Sequence, residues 1–218
     1  MIIVIQCAAG KRPGAGYLVS ASGKPVVFVA QPLLAPADPA REYARPDGPS
    51  LTGLSWRNVL LSYNETEKTD NPLGLYPAYR LYDNLIYERL VEHFGLRNVY
   101  ILSAGWGLIA ADFLTPYYDI TFTRMAKAYK RRRATDLYHD FRMLPDDTTD
   151  EVFFFGGQDY LPLFSSLTES IRGRRTVFYN SAHRPRLPGC LLRRFETRTR
   201  TNWHYECANA FLGAITTD

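Results

Sequence analysis

The chain is poor in cysteine. Cys7, Cys190 and Cys207 are the only three in 218 residues, and they lie far apart. An odd, scattered set supplies neither a disulfide framework nor the close Cys/His spacing of a zinc site, and it suits a reduced compartment. Long apolar runs are missing as well. No stretch approaches the roughly 20 residues of a membrane span, and the opening MIIVIQCAAGK is short for a secretory leader and lacks a basic front. These absences predict a cytoplasmic protein with no membrane partner. No His-Cys-Cys set or carboxylate cluster calls for a metal, and no other cofactor is implied.

What is present points to a globular fold. A hydrophobic content of 46% with 14% aromatics is too high for a disordered chain. The length suits one domain spanning 1–218 with a sizeable core. Formal charge is +4, and the surplus is confined to one half. Residues 1–119 carry ten Lys plus Arg against eleven acids, and the remainder carries sixteen against eleven. The cluster from Lys127 to Arg133 reads as a solvated helix face or a basic patch. Between Arg172 and Arg200, nine arginines meet a single acid, Glu196. Arginine suits planar phosphate contacts, so nucleic acid is the expected partner. No obligate protein partner is evident.

Several segments read as alternating strands and helices. Ile2–Gln6 is a buried first strand that ends in a small-residue loop carrying Lys11 and Arg12. That loop can cradle an anion, although it lacks the spacing of a P-loop or a dinucleotide fingerprint. Residues 17–31 form a hairpin turning at Ala21–Lys24. Residues 32–77, rich in Pro, Asp, Gly and Ser, are expected as an insertion or lid that offers Trp56 or Tyr63 to a ligand. A helix from Pro77 to Gly95 follows, with Leu81, Leu85, Ile86, Leu90 and Val91 as its apolar stripe. A second helix, basic on one side, is expected over 123–144. Strands at 151–155 and 176–179 flank a helix over 161–171, and a last helix covers 202–215. There His204 and Cys207, one turn apart, read as packing residues. The fold class is therefore α/β, with three α/β/α layers and a mainly parallel central sheet.

The stretch from Asn98 to Phe122 organises the rest. Val99–Leu102 is an apolar strand that breaks into Ser103-Ala104-Gly105-Trp106-Gly107, and Pro116-Tyr117-Tyr118-Asp119 follows. Small residues at a strand's carboxyl end let a ligand approach the backbone, where open sheets bind their ligands. A tight strand-to-helix turn is the plainer alternative.

The ordered set of Lys11 after the first strand, Leu81-Tyr82, ILSAGWGLI, PYYD and GGQDY resembles the YaaA-related proteins. Those read LY, LSA with a following GL, PYD, and a glycine before Tyr. The resemblance covers most of the chain outside 32–77. It implies DNA binding and an architecture similar to the uracil-DNA glycosylase superfamily, in which a histidine loop follows a late strand, as Ser181–Pro185 does here. Antiviral glycosylases that remove glucosylated hydroxymethylcytosine from phage DNA are a further relative that the resemblance suggests. The chain lacks the water-activating motif of the uracil enzymes, so their catalytic assignment does not carry over.

Cleaving an N-glycosidic bond needs a carboxylate to stabilise an oxocarbenium ion and orient water, and a donor for the departing base. Base eversion also needs aromatic surfaces and cations on the flanking phosphates. The expected catalytic set is Asp119, His183 and Tyr118. Asp119 could instead cap a helix, and His183 could simply be exposed. Gln6, Cys7, Ser103, Trp106, Tyr117, Gln158 and Asn180 are expected to bind the substrate, although Trp106 could pack in the core and the polar ones could satisfy local backbone. Lys11, Arg12, Arg184, Arg186, Arg193 and Arg194 would contact DNA, with Lys11 a phosphate contact or, alternatively, a Schiff-base nucleophile. The expected activity is a DNA N-glycosylase acting on a modified base. A non-catalytic DNA-binding stress protein and a nucleoside-processing enzyme are the rivals.

Overall fold

The structure is a computed structural model that describes residues 1–199 and 201–216. Arg200, last of the basic stretch, lies outside them. The chain folds as β1 (Ile2–Gln6), β2 (Leu18–Val19), β3 (Pro25–Phe28), β4 (Glu42–Ala44), α1 (Trp56–Thr66), β5 (Tyr76–Pro77), α2 (Ala78–Leu81), α3 (Ile86–Phe94), β6 (Val99–Ser103), β7 (Gly107–Ala110), β8 (Leu114–Thr115), β9 (Phe141–Arg142), β10 (Val152–Phe155), α4 (Leu161–Thr168), β11 (Arg175–Tyr179), β12 (Cys190–Arg194) and α5 (Trp203–Thr216).

A strand as apolar as IIVIQ must be covered on both faces, and β1 lies inside a seven-stranded sheet of order β12-β11-β10-β1-β6-β7-β9. The five strands from β12 to β6 are parallel, β7 turns back antiparallel to β6, and β9 runs parallel to β7. Helices cover both faces. Successive side chains of β10 show this: Phe153 and Phe155 pack on Phe211 of α5, whereas Phe154 stacks on Phe164 of α4 at 4.3 Å. Phe94 of α3 also meets Phe211, which puts α3 and α5 on one face. The fold is α/β with a mostly parallel central sheet.

From β1 the chain crosses to β6 on one side and then to β10 on the other. This reversal of winding puts the topological switch point at the carboxyl ends of β1 and β10, the usual place for a ligand in a doubly wound sheet.

Four expectations need correction. The helix expected over 77–95 is broken, because Tyr82 is extended and its backbone bridges Lys11. Arg12 N–H donates to Leu81 O, and Asp83 N–H to Gly10 O. The loop after β1 thus takes the hydrogen bonds that a continuous helix would use, and the Asn84 carboxamide starts α3 by accepting from Ile86 N–H at 3.0 Å. The helix expected over 123–144 is not formed. That segment is mostly irregular, with a 3-10 turn at Ala128–Lys130, an isolated bridge from Thr121 to Arg131 and the short strand β9.

The third concerns 32–77, expected as an insertion or lid rich in Pro, Asp, Gly and Ser, which holds β4 and α1. Ser55 caps α1 by accepting from Asn58 N–H. Trp56 and Tyr63 are both buried, the first against Phe28 at the wall of a cavity of about 260 Å³ that Glu42, Tyr43 and Leu51 also line, the second bonded to Asn71. Fourth, the strand-to-helix turn considered after β6 is a hairpin into β7.

Candidate functional site

Ser103 ends β6 fully buried, and its hydroxyl organises the turn that follows. It accepts from Gly105 N–H at 3.2 Å and Trp106 N–H at 3.1 Å, and donates to the Tyr118 oxygen at 2.8 Å. Tyr118 and Tyr82 hydroxyls meet at 2.8 Å. On the β1 side, Cys7 Sγ lies 3.2 Å from Tyr160 OH and accepts weakly from Ala104 N–H at 3.5 Å. Burial pushes the pKa values of Tyr82, Tyr118 and Tyr160 well up, so all three are neutral phenols near pH 7. The network lies under the carboxyl ends of β1 and β6 and fixes their loops.

Above it sit the charges. Lys11 is half-buried, with Nζ 4.1 Å over the Tyr118 ring and 3.4 Å from Ala9 O. Burial lowers its pKa, opposed by the nearby Cys7 and Asp119. Asp119 Oδ2 accepts from Lys130 Nζ at 2.5 Å, and both side chains keep somewhat over a quarter of their surface exposed. That bond raises the Lys130 pKa. Asp119 heads no helix. Its main-chain N–H donates to Phe28 O at 2.7 Å, so the capping alternative is removed. Tyr117 is half-buried against Tyr17, with ring centres 5.5 Å apart.

Two buried guanidinium groups hold the 104–106 turn from below. Arg57 donates to Gly105 O at 2.7 Å and Trp106 O at 3.0 Å, and Arg132 to Ala104 O at 2.9 Å. Each is paired: Arg57 with Asp47 at 2.5 Å, and Arg132 with both oxygens of Asp140. Such pairs justify their desolvation only when every donor has an acceptor, which the turn's carbonyls largely provide.

The structure therefore brings Cys7, Lys11, Ser103, Tyr118 and Asp119 together. Trp106 has no exposed surface and packs on Phe28, Phe141 and Tyr118, so it has no face for a base. Tyr118 is equally enclosed and acts through Ser103, Tyr82 and the ammonium above it. Gln6 Oε1 accepts from Gly157 N–H at 2.6 Å, tying the end of β1 to the loop after β10. Gln158 and Asn180 line a small separate cleft after β10 and β11.

His183 is exposed. Among the described residues neither hydrogen bond nor ion pair joins it to Asp119, and its carbonyl accepts from Ser181 Oγ at 2.6 Å. Arg12 is tied to Glu88. Arg184, Arg186, Arg193 and Arg194 are all exposed, the last two at the carboxyl end of edge strand β12. From sequence, Lys130 and Arg132 stand only as part of the Lys127–Arg133 cluster, and Tyr138 and Asp140 are not singled out. Their signal lay in the basic run itself, which is followed at short spacing by acids.

Among the described residues no group of three or more His, Cys, Asp or Glu is placed to hold a metal ion, and no helix is long and apolar enough to cross a membrane. Residues 74–178 match the model of a family of unknown function, DUF6884. That span contains Ser103, Trp106, Tyr117, Tyr118, Asp119 and Gln158, but neither the β1 loop nor the arginines after β11. No curated protein and no solved structure matches the chain.

Proposed function

We propose that the protein is a DNA N-glycosylase on a uracil-DNA-glycosylase-like sheet, removing a modified base from phage DNA in antiviral defence. Glucosylated hydroxymethylcytosine is the first substrate to try. The observation that carries the reading is Asp119: a partly exposed carboxylate between two lysines, at the edge where a doubly wound sheet binds ligands. Exposed arginines at the carboxyl end of β12 supply cations for flanking phosphates.

In the reaction the C1′–N bond breaks with its electrons leaving on the base, water adds to C1′, and a proton reaches the base. Asp119 stabilises the positive charge growing on the sugar and orients the water. Lys130, partly exposed and paired with Asp119, would take the neighbouring phosphate. The rival reading, DNA binding without catalysis, draws on the same ion pair, because a carboxylate held by a lysine can be purely structural.

The two part on Asp119→Asn. The parent and variant are incubated with unmodified, hydroxymethylated and glucosylated phage DNA, and released bases and abasic sites are measured by mass spectrometry. The expected result is base release from one DNA, reduced about 100-fold or more by the substitution while DNA binding persists. Binding with no base released from any of the three by the parent would leave the non-catalytic reading.

A further inference from the structure

The 3-10 turn Pro32–Leu34 carries two adjacent leucines into solvent. Leu33 is 100% exposed and Leu34 61%, and in the loop that precedes Ala128–Lys130 Met125 is 92% exposed. Exposed leucines scattered singly are ordinary, but two side by side on an ordered turn need a reason. The turn is ordered. Leu34 N–H donates to Gln31 O and Ala35 N–H to Pro32 O, both at 3.0 Å, and the ring of Pro32 fixes its own φ. The leucines are therefore presented on a rigid tip.

That tip is fastened to the two segments that carry the Asp119–Lys130 pair. Gln31 N–H donates to Tyr129 O at 2.9 Å, one residue before Lys130, and Phe28 O accepts from Asp119 N–H at 2.7 Å. Five residues of chain separate Phe28 from Leu33, a reach of at most about 18 Å. Leucines and carboxylate belong to one rim. Residues 32–34 precede the family match at 74–178, so nothing carries over to them from it.

Charge narrows the partner. Between Asp119 and Asp136 the chain has six basic residues and no acid. Lys130 and Arg132 are committed to Asp119 and Asp140, which leaves Arg124, Lys127, Arg131 and Arg133 with no carboxylate partner among the described residues. Arg124, Lys127 and Arg133 are exposed. Asp38, the next acid after the leucines, is already held by Arg41 at 2.7 Å. The rim thus suits a polyanion. Two leucines and a methionine offer little apolar area for holding a bilayer, where even a myristoyl chain binds only marginally. Leucine and methionine are, however, among the wedges that part the base steps of a duplex.

We propose that Leu33 and Leu34 form a wedge that enters the base stack of duplex DNA and fills the gap a departed base leaves, while the unpaired cations of 124–133 hold the flanking phosphates. That a base leaves the stack at Asp119 rests on the glycosylase reading. Insertion itself is tested apart from it, in DNA that already contains a gap.

The experiment is fluorescence anisotropy of two labelled duplexes, one intact and one carrying a tetrahydrofuran residue, which lacks a base and has no glycosidic bond to cleave. The parent should bind the gapped duplex about tenfold or more tightly. Leu33→Ser with Leu34→Ser should remove that preference and leave the slope of log K against log salt unchanged, because a leucine releases no counterion. Arg124→Gln with Lys127→Gln should lower the slope by roughly 2 and keep the preference. Since both leucines stand in solvent, the serine protein should keep the parent's thermal midpoint. Equal binding of the two duplexes by the parent, a preference that survives the serines, or a slope that falls with them would overturn the proposal. So would leucine-dependent binding to vesicles of phosphatidylserine and phosphatidylcholine with no gap preference, which would assign the rim to a membrane. If the serines abolish the gap preference but the parent releases no base from any phage DNA, the glycosylase reading fails and the wedge stands. If a parent with no gap preference releases a base, the wedge fails and the glycosylase reading stands.

Discussion

Arg57 Nη1 donates to the main-chain carbonyl of Trp106 at 3.0 Å, joining a helix near the start of the chain to the turn that follows β6. The guanidinium is 2% exposed as a residue and also holds Asp47, so it is a charged peg driven into the floor of the candidate site. Burial lowers its pKa, while Asp47 and Asp140 oppose that shift. Substitution by methionine keeps much of the volume but removes the cation paired with Asp47 and leaves the Gly105 carbonyl unsatisfied, whereas Trp106 O keeps the Phe141 N–H. The expected loss of stability is about 3–5 kcal/mol in urea unfolding, and a cost within the scatter of surface substitutions would show the pair to be dispensable.

A second expectation concerns the same turn. Gly107 has φ of +91°, and a Cβ there would lie 2.5 Å from Phe141 O and 2.7 Å from Phe141 N, both backbone atoms of β9. Gly23 has φ of +78° with nothing within 4 Å. Alanine at Gly23 should therefore incur only the left-handed backbone term, about 1 kcal/mol or a little more. Alanine at Gly107 adds separation of β9 from β7 and should cost clearly more. Equal thermal midpoints for the two variants would count against this packing of β9.

His204 gives a pH dependence. It is buried on α5 with Nε2 unpartnered, and burial lowers its pKa to about 4 from the ordinary 6.5. The folded state therefore resists a proton that the unfolded chain accepts. Its contribution is complete above about pH 6.5 and is lost as pH falls from there toward 4, on the order of 2 kcal/mol by pH 5. Measured from pH 7 to 5, the fall in unfolding free energy should shrink by about that amount in His204→Phe, since phenylalanine has no proton to gain. An unchanged slope would mean that His204 titrates normally.

Periodicity and apolar runs were enough to find β1, β6, β10 and β11, but not β7, β9 or β12. IIVIQ, VYIL, VFFF and TVFY have few polar residues to break them, and a strand covered on both faces leaves that mark. The edge strand β12 was missed because CLLRR is largely exposed and carries charge. The 123–144 segment misled for a different reason. Its basic run suits a solvated helix, but Arg132 finds Asp140 and Ala104 O, and a tertiary contact of that kind leaves no local signature. Helix propensity likewise carried Pro77–Gly95 past Tyr82, where the β1 loop takes the backbone. At the site, residue types in loops after strands located Asp119, Lys11, Ser103 and Cys7. Whether a side chain faces solvent or core was beyond them, which is why Trp106 read equally well as a stacking platform.

The arginines after β11 yield an expectation in salt. Arg193 and Arg194 close β12 at the carboxyl end of the sheet and are exposed, as are Arg184 and Arg186 on the preceding loop. Arg174 is basic and exposed too, but it precedes β11 at the opposite end and is held by both oxygens of Glu151, at 2.9 and 2.7 Å. If DNA lies across the carboxyl edge, each phosphate contact removed should lower the slope of log K against log salt by about 0.9. The double substitution Arg193→Gln and Arg194→Gln should therefore reduce the slope by roughly 2, whereas Arg174→Gln should leave it unchanged. Fluorescence anisotropy of labelled DNA over a salt series measures this directly. A slope that responds to Arg174 as strongly as to the β12 pair would put the DNA elsewhere, and with it would go the argument that Asp119 faces a sugar.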